Sequence, residues 1–548
     1  MLKKKIPKFE LLRDFSHKWS RVRESNPPPK LGKLLYYRCT NPANITSIAQ
    51  LSLLIKYKLA LFGACVLIYH NNTAKFAKIG DKMKIRSFIG TKQFYKMALA
   101  IAIPIMVQNG ITQLVSMLDN LMVGRLGTEQ MSGVAIANQM IFVYNLAIFG
   151  GLSGAGIFAA QFAGKGDNDG IRSVFRFKIY IAAAVLALGL FVIGTFNEPI
   201  INLFLHEGGS TGDLELTLRY GQEYTYMIMW GLAPFAVSQM YATTLRETGE
   251  TVRPMIASIA AVVTNLILNY ILIFGKLGAP AMGVKGAALA TVISRFVELA
   301  LIASWAHRHT EKAPFFEGVY RTLKLPPALA LKIAKQGLPL LVNEVMWSAG
   351  MALLTQCIST RGLAAVAATN ICYTVTNLFN VVFLAMGATI GIVVGNLLGA
   401  GKYEEAVDTD RKLIALSVAS CTVLGLLLAA VSGLIPQLYN TTDEVKSLAT
   451  QLLIVGAFVM VLDAFSNACY FTLRSGGKTN ITLLFDSGYV WGVMIPVTAI
   501  LAYMTDLPIL PLYIISYLTV IPKCIAGFVL VKSGKWIKTI VPDEVSAA

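Results

Sequence analysis

Charge is what this 548-residue chain has least of: 14% of it is Asp, Glu, Lys or Arg, against 55% hydrophobic residues. A soluble globular chain carries about 25% charged residues, so an ordinary soluble domain is excluded. The mean hydropathy of +0.60 says the same. Short alternating segments are missing too, which excludes a membrane β-barrel; the apolar runs are continuous and helical in kind. Cysteine is scarce, at seven residues. Five of these (Cys357, Cys372, Cys421, Cys469 and Cys524) sit inside apolar runs, where a thiol is a small packing residue. No CxxC or Cys/His spacing is present, which argues against a metal site or a disulfide framework. The Gly-x-Gly loops lack the Lys-Ser/Thr of a phosphate-binding loop, so any transport is secondary and not nucleotide-driven. H-E-x-x-H, G-x-S-x-G and paired catalytic aspartates are missing as well, which argues against an intramembrane enzyme. No cofactor is implied. No Lys/Arg stripe alternates with stacking aromatics, so nucleic acid is not an expected partner.

The net charge of +18 is concentrated at one end, with residues 1–82 carrying +12. That stretch contains Pro27-Pro28-Pro29 and a run at 51–69 broken by Lys56 and Lys58. It reads as a non-native or disordered extension, resembling translated non-coding sequence, with Met83 as the natural start.

From residue 97 onward, twelve runs are long enough to span a bilayer. They lie near 97–123, 131–160, 175–196, 220–245, 254–274, 286–305, 331–356, 363–397, 412–433, 449–473, 480–503 and 508–531. The expected fold is an all-α membrane protein of twelve transmembrane helices in two six-helix lobes. The expected divisions are a lobe at 83–305, a cytoplasmic linker at 306–330, a lobe at 331–531 and a cytoplasmic tail at 532–548. Alternate loops and the tail hold twenty Lys/Arg, Lys178 among them, against six in the opposite loops. The positive-inside rule then puts both termini in the cytoplasm, with the chain in the plasma (inner) membrane. His307 and His309 in the linker read as solvated.

The halves repeat. Pro104 and Pro339 open comparable helices. Gln161-x-x-Gly164-x-Gly166 matches Asn396-x-x-Gly399-x-Gly401, and Leu245-Arg246-x-x-Gly249-x-Thr251 matches Leu473-Arg474-x-x-Gly477-x-Thr479. Six spans per half make the repeat parallel, with substrate sites between or within the halves. The Gly-x-Gly pairs are expected to let a helix end and turn.

Three carboxylates fall inside apolar runs: Asp119, Glu344 and Asp463. An ionisable group at membrane depth costs about 2.5–3.5 kcal/mol on insertion scales and marks an ion or substrate pathway. Asp486 lies near a span's start and reads as interfacial. Arg295 and Glu298, three apart, can neutralise each other. Trp347, on the face of Glu344, with Tyr373, Phe379 and Tyr470, could line a cavity for organic cations or simply pack.

Over nearly the whole chain after residue 96, these motifs resemble the multidrug and toxic compound extrusion (MATE) family. The first-helix string Val115-Ser116-Met117-Leu118-Asp119-Asn120-Leu121-Met122-Val123-Gly124 and Gly337-Leu338-Pro339 complete the likeness. The resemblance implies two lobes around a V-shaped cavity and an antiporter that exports organic cations or amphiphilic drugs in exchange for sodium ions or protons. Asp119, Glu344 and Asp463 match its coupling residues, and Glu344 and Asp463 are expected to share the ion. Glu344 stands nearer its proline than the sodium-linked branch places its Glu. One branch has an Asp four residues after an Asn in the fifth helix; here the pair is Asn265 and Asn269, which could supply hydrogen bonds or a ligand oxygen. The alternative is a lipid-linked oligosaccharide flippase, though that cargo calls for cationic cavity residues and these are acidic. A monomer in contact with membrane lipid is expected.

Overall fold

The computed structural model describes residues 88–204 and 213–542. The expectation for residues 1–82 lies outside the described residues. Twelve helices follow in order: α1 (Lys92–Gly124), α2 (Thr128–Lys165), α3 (Asn168–Phe204), α4 (Leu214–Glu247), α5 (Val252–Phe274) and α6 (Gly283–Arg308) in the first half. The second half has α7 (Pro327–Ser359), α8 (Leu363–Gly399), α9 (Tyr403–Val431), α10 (Asp443–Ser475), α11 (Thr479–Met504) and α12 (Ile509–Lys532). Eleven are long and apolar enough to cross a membrane. The twelfth, α4, is long enough but buries hydroxyls at Thr217, Thr225, Ser238 and Thr244.

Helix starts and stops follow local chemistry. Thr91, Asp213 and Thr442 cap α1, α4 and α10 by accepting from backbone N–H groups three residues on. The repeated motifs end helices in the same way in both halves. Gly166 (φ 77°) and Gly401 (φ 73°) take the left-handed conformation. The paired backbone bonds Gly166→Ala163 and Asp167→Phe162 recur as Gly401→Leu398 and Lys402→Leu397. Gly249 and Gly477 repeat this after α4 and α10. Only a residue without a Cβ adopts that backbone at little cost.

Several expectations need correcting. Pro104 and Pro339 do not open their helices; each lies inside a longer one, at the same offset from its start. The polar turns before each proline are helical although they are not apolar. Lys178 is not a loop residue: it lies inside α3, fully buried, with its ammonium 2.6 Å from Glu247. The linker is packed, not free. Phe315, Phe316 and Val319 are buried, and Phe316 meets the rings of Phe175 and Tyr241. Neither linker histidine is simply solvated. His307 Nε2 is 2.8 Å from the Tyr241 hydroxyl, and His309 stacks on Trp305.

The core shows how the lobes meet. At the end where α2 and α8 finish, one hydrophobic cluster contains residues from both halves, including Phe158, Phe162, Leu340, Ile390 and Leu473. Toward the opposite end the cores are separate. One joins Val134, Tyr224, Ile273 and Val284, and the other joins Leu354, Cys372, Leu453 and Tyr513. The halves are thus fused at the end carrying the basic loops and have independent cores at the other. Glycines make the fusion possible. A Cβ on Gly164 would sit 1.8 Å from the Asn396 carbonyl oxygen, and one on Gly399 would sit 1.9 Å from that of Gln161. Each copy of the repeated motif therefore packs its glycine on the other copy's first residue.

Candidate functional site

In the first lobe the structure gathers Asp119 with both asparagines of α5. Asn265 and Asn269 are one turn apart and project from one helix face. Asn269 Nδ2 donates to Asp119 Oδ1 at 2.6 Å. With its oxygen toward the Thr291 hydroxyl (3.1 Å), Asn265 Nδ2 lies 3.0 and 3.1 Å from the two Asp119 oxygens. The amide nitrogens, not the oxygens, therefore face the carboxylate. Hydrogen bonds to a charged acceptor contribute about 1.5–3 kcal/mol each, so two donors hold Asp119 in one geometry. The Asn269 oxygen is buried and has no hydrogen-bond partner. Arg295, in Coulombic range of Asp119, is engaged elsewhere: it pairs with Glu298 at 3.0 Å and lies 4.9 Å above the Phe235 ring. The mutual neutralisation of Arg295 and Glu298 is as expected.

The second lobe holds a different constellation. Glu344 on α7 packs toward the first lobe, where a Cβ on Gly150 would be 3.3 Å from its Cγ. It lies in Coulombic range of Arg474 and Asp486. Arg474 in turn donates to the Ser153 carbonyl of α2 at 3.1 Å, across the lobe boundary. Asp463 on α10 is in Coulombic range of Lys523 and Asp486. Asp486 is common to both acids. Rather than standing exposed near a helix start, it is ion-paired with Lys523 of α12 at 2.7 Å, and both side chains are largely buried.

Sequence reasoning passed over Lys523, although a single lysine deep in the run 508–531 was the available signal. It also passed over Asp410. This buried carboxylate accepts from the Thr472 hydroxyl at 2.6 Å. In the first lobe the matching threonine, Thr244, instead faces the Lys178 ammonium at 2.9 Å. The matching threonines thus meet charged side chains of opposite sign, the first lobe's lysine being neutralised by Glu247.

The four aromatics divide. Trp347 is exposed at 39%. Tyr373 shares a hydrogen bond with Tyr517 at 2.9 Å. Phe379 packs against the second lobe's own core. Tyr470 is buried in the cluster common to both lobes, edge-on to Phe471. Among the described residues, no group of three or more His, Cys, Asp or Glu is placed to hold a metal ion.

The family model described as MatE matches residues 104–271 and 339–503, one copy in each half. The chain is 25% identical over 451 residues to a probable multidrug resistance protein NorM of Thermotoga maritima, covering 81% of this chain and 94% of the relative. Its fold is similar to that of a mutant of the Vibrio cholerae MATE transporter VcmN, with a TM-score of 0.73 at 17% identity, covering 82% of this chain and 99% of that one. It is also similar to an outward-facing conformation of a multidrug resistance MATE family transporter of the MOP superfamily, with a TM-score of 0.69 at 21% identity, covering 83% of this chain and 99% of that one.

Proposed function

From the chain's membership of the MatE family, a family of multi-pass membrane transporters, we propose that it is a secondary antiporter. It exports organic cations or amphiphilic drugs in exchange for sodium ions or protons, as a monomer in the plasma membrane. The basic end, where the lobes are fused, faces the cytoplasm. The drug-like cargo is suggested by its NorM relative.

One observation carries this reading: a half-buried carboxylate, Asp119, is held by two amide donors inside a bundle whose lobes share a core at one end only. Each part has a role in antiport. A charge inside a membrane protein is expensive unless compensated, so Asp119 favours uptake of a cation or proton. Because the Asn269 amide turns its nitrogen to Asp119, the hard ligand offered to such an ion is the carboxylate itself. Compensating the charge alters the balance between two lobe arrangements, and a ligand shifts such a balance only through its differential affinity for the two. Glu344 and Asp463 do the same in the second lobe. Trp347, exposed and one helical turn beyond Glu344, offers a face to an organic cation.

The test is ethidium efflux from proteoliposomes under imposed sodium or proton gradients. Gradient-driven efflux that falls at least tenfold in Asp119→Asn, at equal protein incorporation, supports the reading. Efflux indifferent to both gradients, or undiminished in Asp119→Asn, overturns it.

A further inference from the structure

The surroundings of Asp486 are those of a cation site with its cation already in place. One oxygen, Oδ1, accepts from the Lys523 ammonium at 2.7 Å. The other, Oδ2, accepts from Asn343 Nδ2 at 3.0 Å. Asn343 is itself fixed: its side-chain oxygen accepts from the Ser487 hydroxyl at 2.8 Å and from the Ser487 backbone N–H at 3.3 Å. The carboxylate is thereby aimed by Asn343 of α7, itself held by the neighbouring Ser487, and does not simply follow the ammonium if it leaves. The ammonium also lies over two aromatic faces, 5.4 Å from the centre of Phe485 and 5.3 Å from that of Tyr489. A carboxylate with aromatic faces is a receptor for a monovalent cation.

Three features separate this pair from an ordinary buried ion pair. First, Asp486 sits in a π-helical turn, Leu484–Gly488, followed by a second at Val490–Met494. Such widened turns are rare and frequent at functional sites. Second, Lys523 borders an open, apolar groove of about 440 Å³ between α11 and α12, walled by Leu484, Tyr489, Val493 and Pro522. Its flexible four-carbon stem has somewhere to swing without any backbone movement. Third, one ammonium serves more than one acid. Asp463 is in Coulombic range of both Lys523 and Asp486, and Glu344 is in range of Asp486. The other cation near these acids, Arg474, is tied across the lobe boundary to Ser153. The cluster therefore has room for added positive charge.

We propose that Lys523 is a tethered cation that occupies the carboxylate site of the second lobe, and that a sodium-type monovalent metal cation binds at Asp486 by displacing it. This deepens the antiport reading above and rests on it. A metal cation fits better than a proton. Once the ammonium has left, a metal ion restores a positive charge beside the Phe485 and Tyr489 rings and keeps the carboxylate charged toward Asn343, whereas a proton on Oδ1 leaves a neutral acid with no cation for those rings. Displacement makes the site self-limiting: the internal competitor weakens binding, and so allows release on the side where the ion is scarce. Lys523 is thus a positioning residue for the ion, not a ligand to it.

The experiment is radiosodium binding to the full chain in lipid nanodiscs. Lys523→Met should bind sodium at least tenfold more tightly than the parent, because the competitor is gone. Lys523→Arg should keep parental affinity, and Asp486→Asn should abolish the gain when added to Lys523→Met. A role confined to folding would lower affinity or leave it unchanged, never raise it. Unchanged or weaker binding in Lys523→Met, while Glu344→Gln still abolishes parental binding, overturns the displacement proposal alone. Sodium binding unaffected by Glu344→Gln, Asp463→Asn and Asp486→Asn refutes the second-lobe ion reading itself. Absence of sodium binding in both the parent and Lys523→Met overturns the displacement proposal, and the proton-gradient arm of the efflux assay then decides the antiport reading independently.

Discussion

Asp119 takes its hydrogen bonds from amides and not from a cationic partner, and that decides how it can switch. An amide donor supports the charged carboxylate without cancelling the charge, so an arriving cation still gains most of its attraction. Asn269 supplies the shorter bond, at 2.6 Å, and its loss should be felt directly. Asn269→Leu removes a charge-assisted hydrogen bond worth about 1.5–3 kcal/mol. Gradient-driven ethidium efflux is expected to fall at least tenfold, while detergent-extracted protein remains monodisperse. Efflux at the parental rate would mean that Asp119 needs no fixed geometry. At this scale the sequence was informative where a polar residue interrupts an apolar run. Asp119, Asn265 and Asn269 all stand out that way, and the structure unites them. Asp486 and Lys178 were misjudged because each lies near a run's end, where one sequence reads equally as loop or as helix. Their pairing with Lys523 and Glu247 is a long-range fact that spacing along one helix does not encode.

Elements show which glycines are structural requirements and which are not. Gly164 and Gly399 lie at the crossing of α2 and α8, where an added methyl group would meet a backbone carbonyl. Gly110, inside α1, has nothing within 4 Å of its missing Cβ. Gly164→Ala and Gly399→Ala should each prevent the basic ends from closing. Spin labels at exposed Asn168 and Glu404 should then report a longer distance, with drug efflux lost. Gly110→Ala should leave that distance unchanged and raise the melting temperature slightly, since alanine favours a helix over glycine by about 1 kcal/mol. A second element-scale device is Arg361, in the α7–α8 turn. Its guanidinium donates to four carbonyls at the end of α11, those of Leu501, Ala502, Thr505 and Leu507, at 2.6–2.9 Å. Leu501 and Ala502 lie in the last turn of α11, whose carbonyls have no intrahelical partner, and Thr505 and Leu507 follow it. Arg361→Ala leaves several of these carbonyls unsatisfied, at about 1–3 kcal/mol per group, and should lower the thermal midpoint of the detergent-solubilised protein by several degrees. No change would show that water replaces the arginine. Helix existence and order were legible from the apolar runs, and the helix-ending role of the Gly-x-Gly pairs from their chemistry. Helix ends were not, because polar turns continue a helix beyond its apolar stretch, as in α3 and α7. The π-helical turns of α11 leave no periodic trace in so apolar a run.

For the whole molecule, alternating access requires the fused end to open, and what fuses it includes the chain's own C-terminal segment. The charge pattern gave 532–548 as a tail; as far as Pro542 it is packed between the lobes. Trp536 is 1% exposed, and Ile540 and Val541 belong to the core shared by both halves. Gln161 of α2 grips the segment from the first lobe. Its Nε2 donates to the Lys538 carbonyl at 3.3 Å, and its Oε1 accepts from the Ile540 N–H at 2.7 Å. From the second lobe, the Leu398 carbonyl accepts from the Thr539 hydroxyl at 2.5 Å, and the Trp536 carbonyl packs so closely on Gly476 that a Cβ there would clash. Opening the basic end must release one of these grips. The first lobe's is the weaker, being held by one glutamine and by Lys165 on the Pro542 carbonyl. Gln161→Leu cuts that grip, together with the Gln161 Nε2 bond to the Ser475 carbonyl of α10 at 2.9 Å, while keeping an apolar side chain in the core. It should increase the population with the basic ends apart, read as a broadened, longer Asn168–Glu404 distance, and should leave radiosodium affinity within about twofold of the parent. Deletion from Ser533 onward should shift the distance in the same direction and further, because it removes both grips and the buried Trp536. If the distances in both variants match the parent, the segment is only filling space, and the closed end is held by the α2–α8 crossing alone.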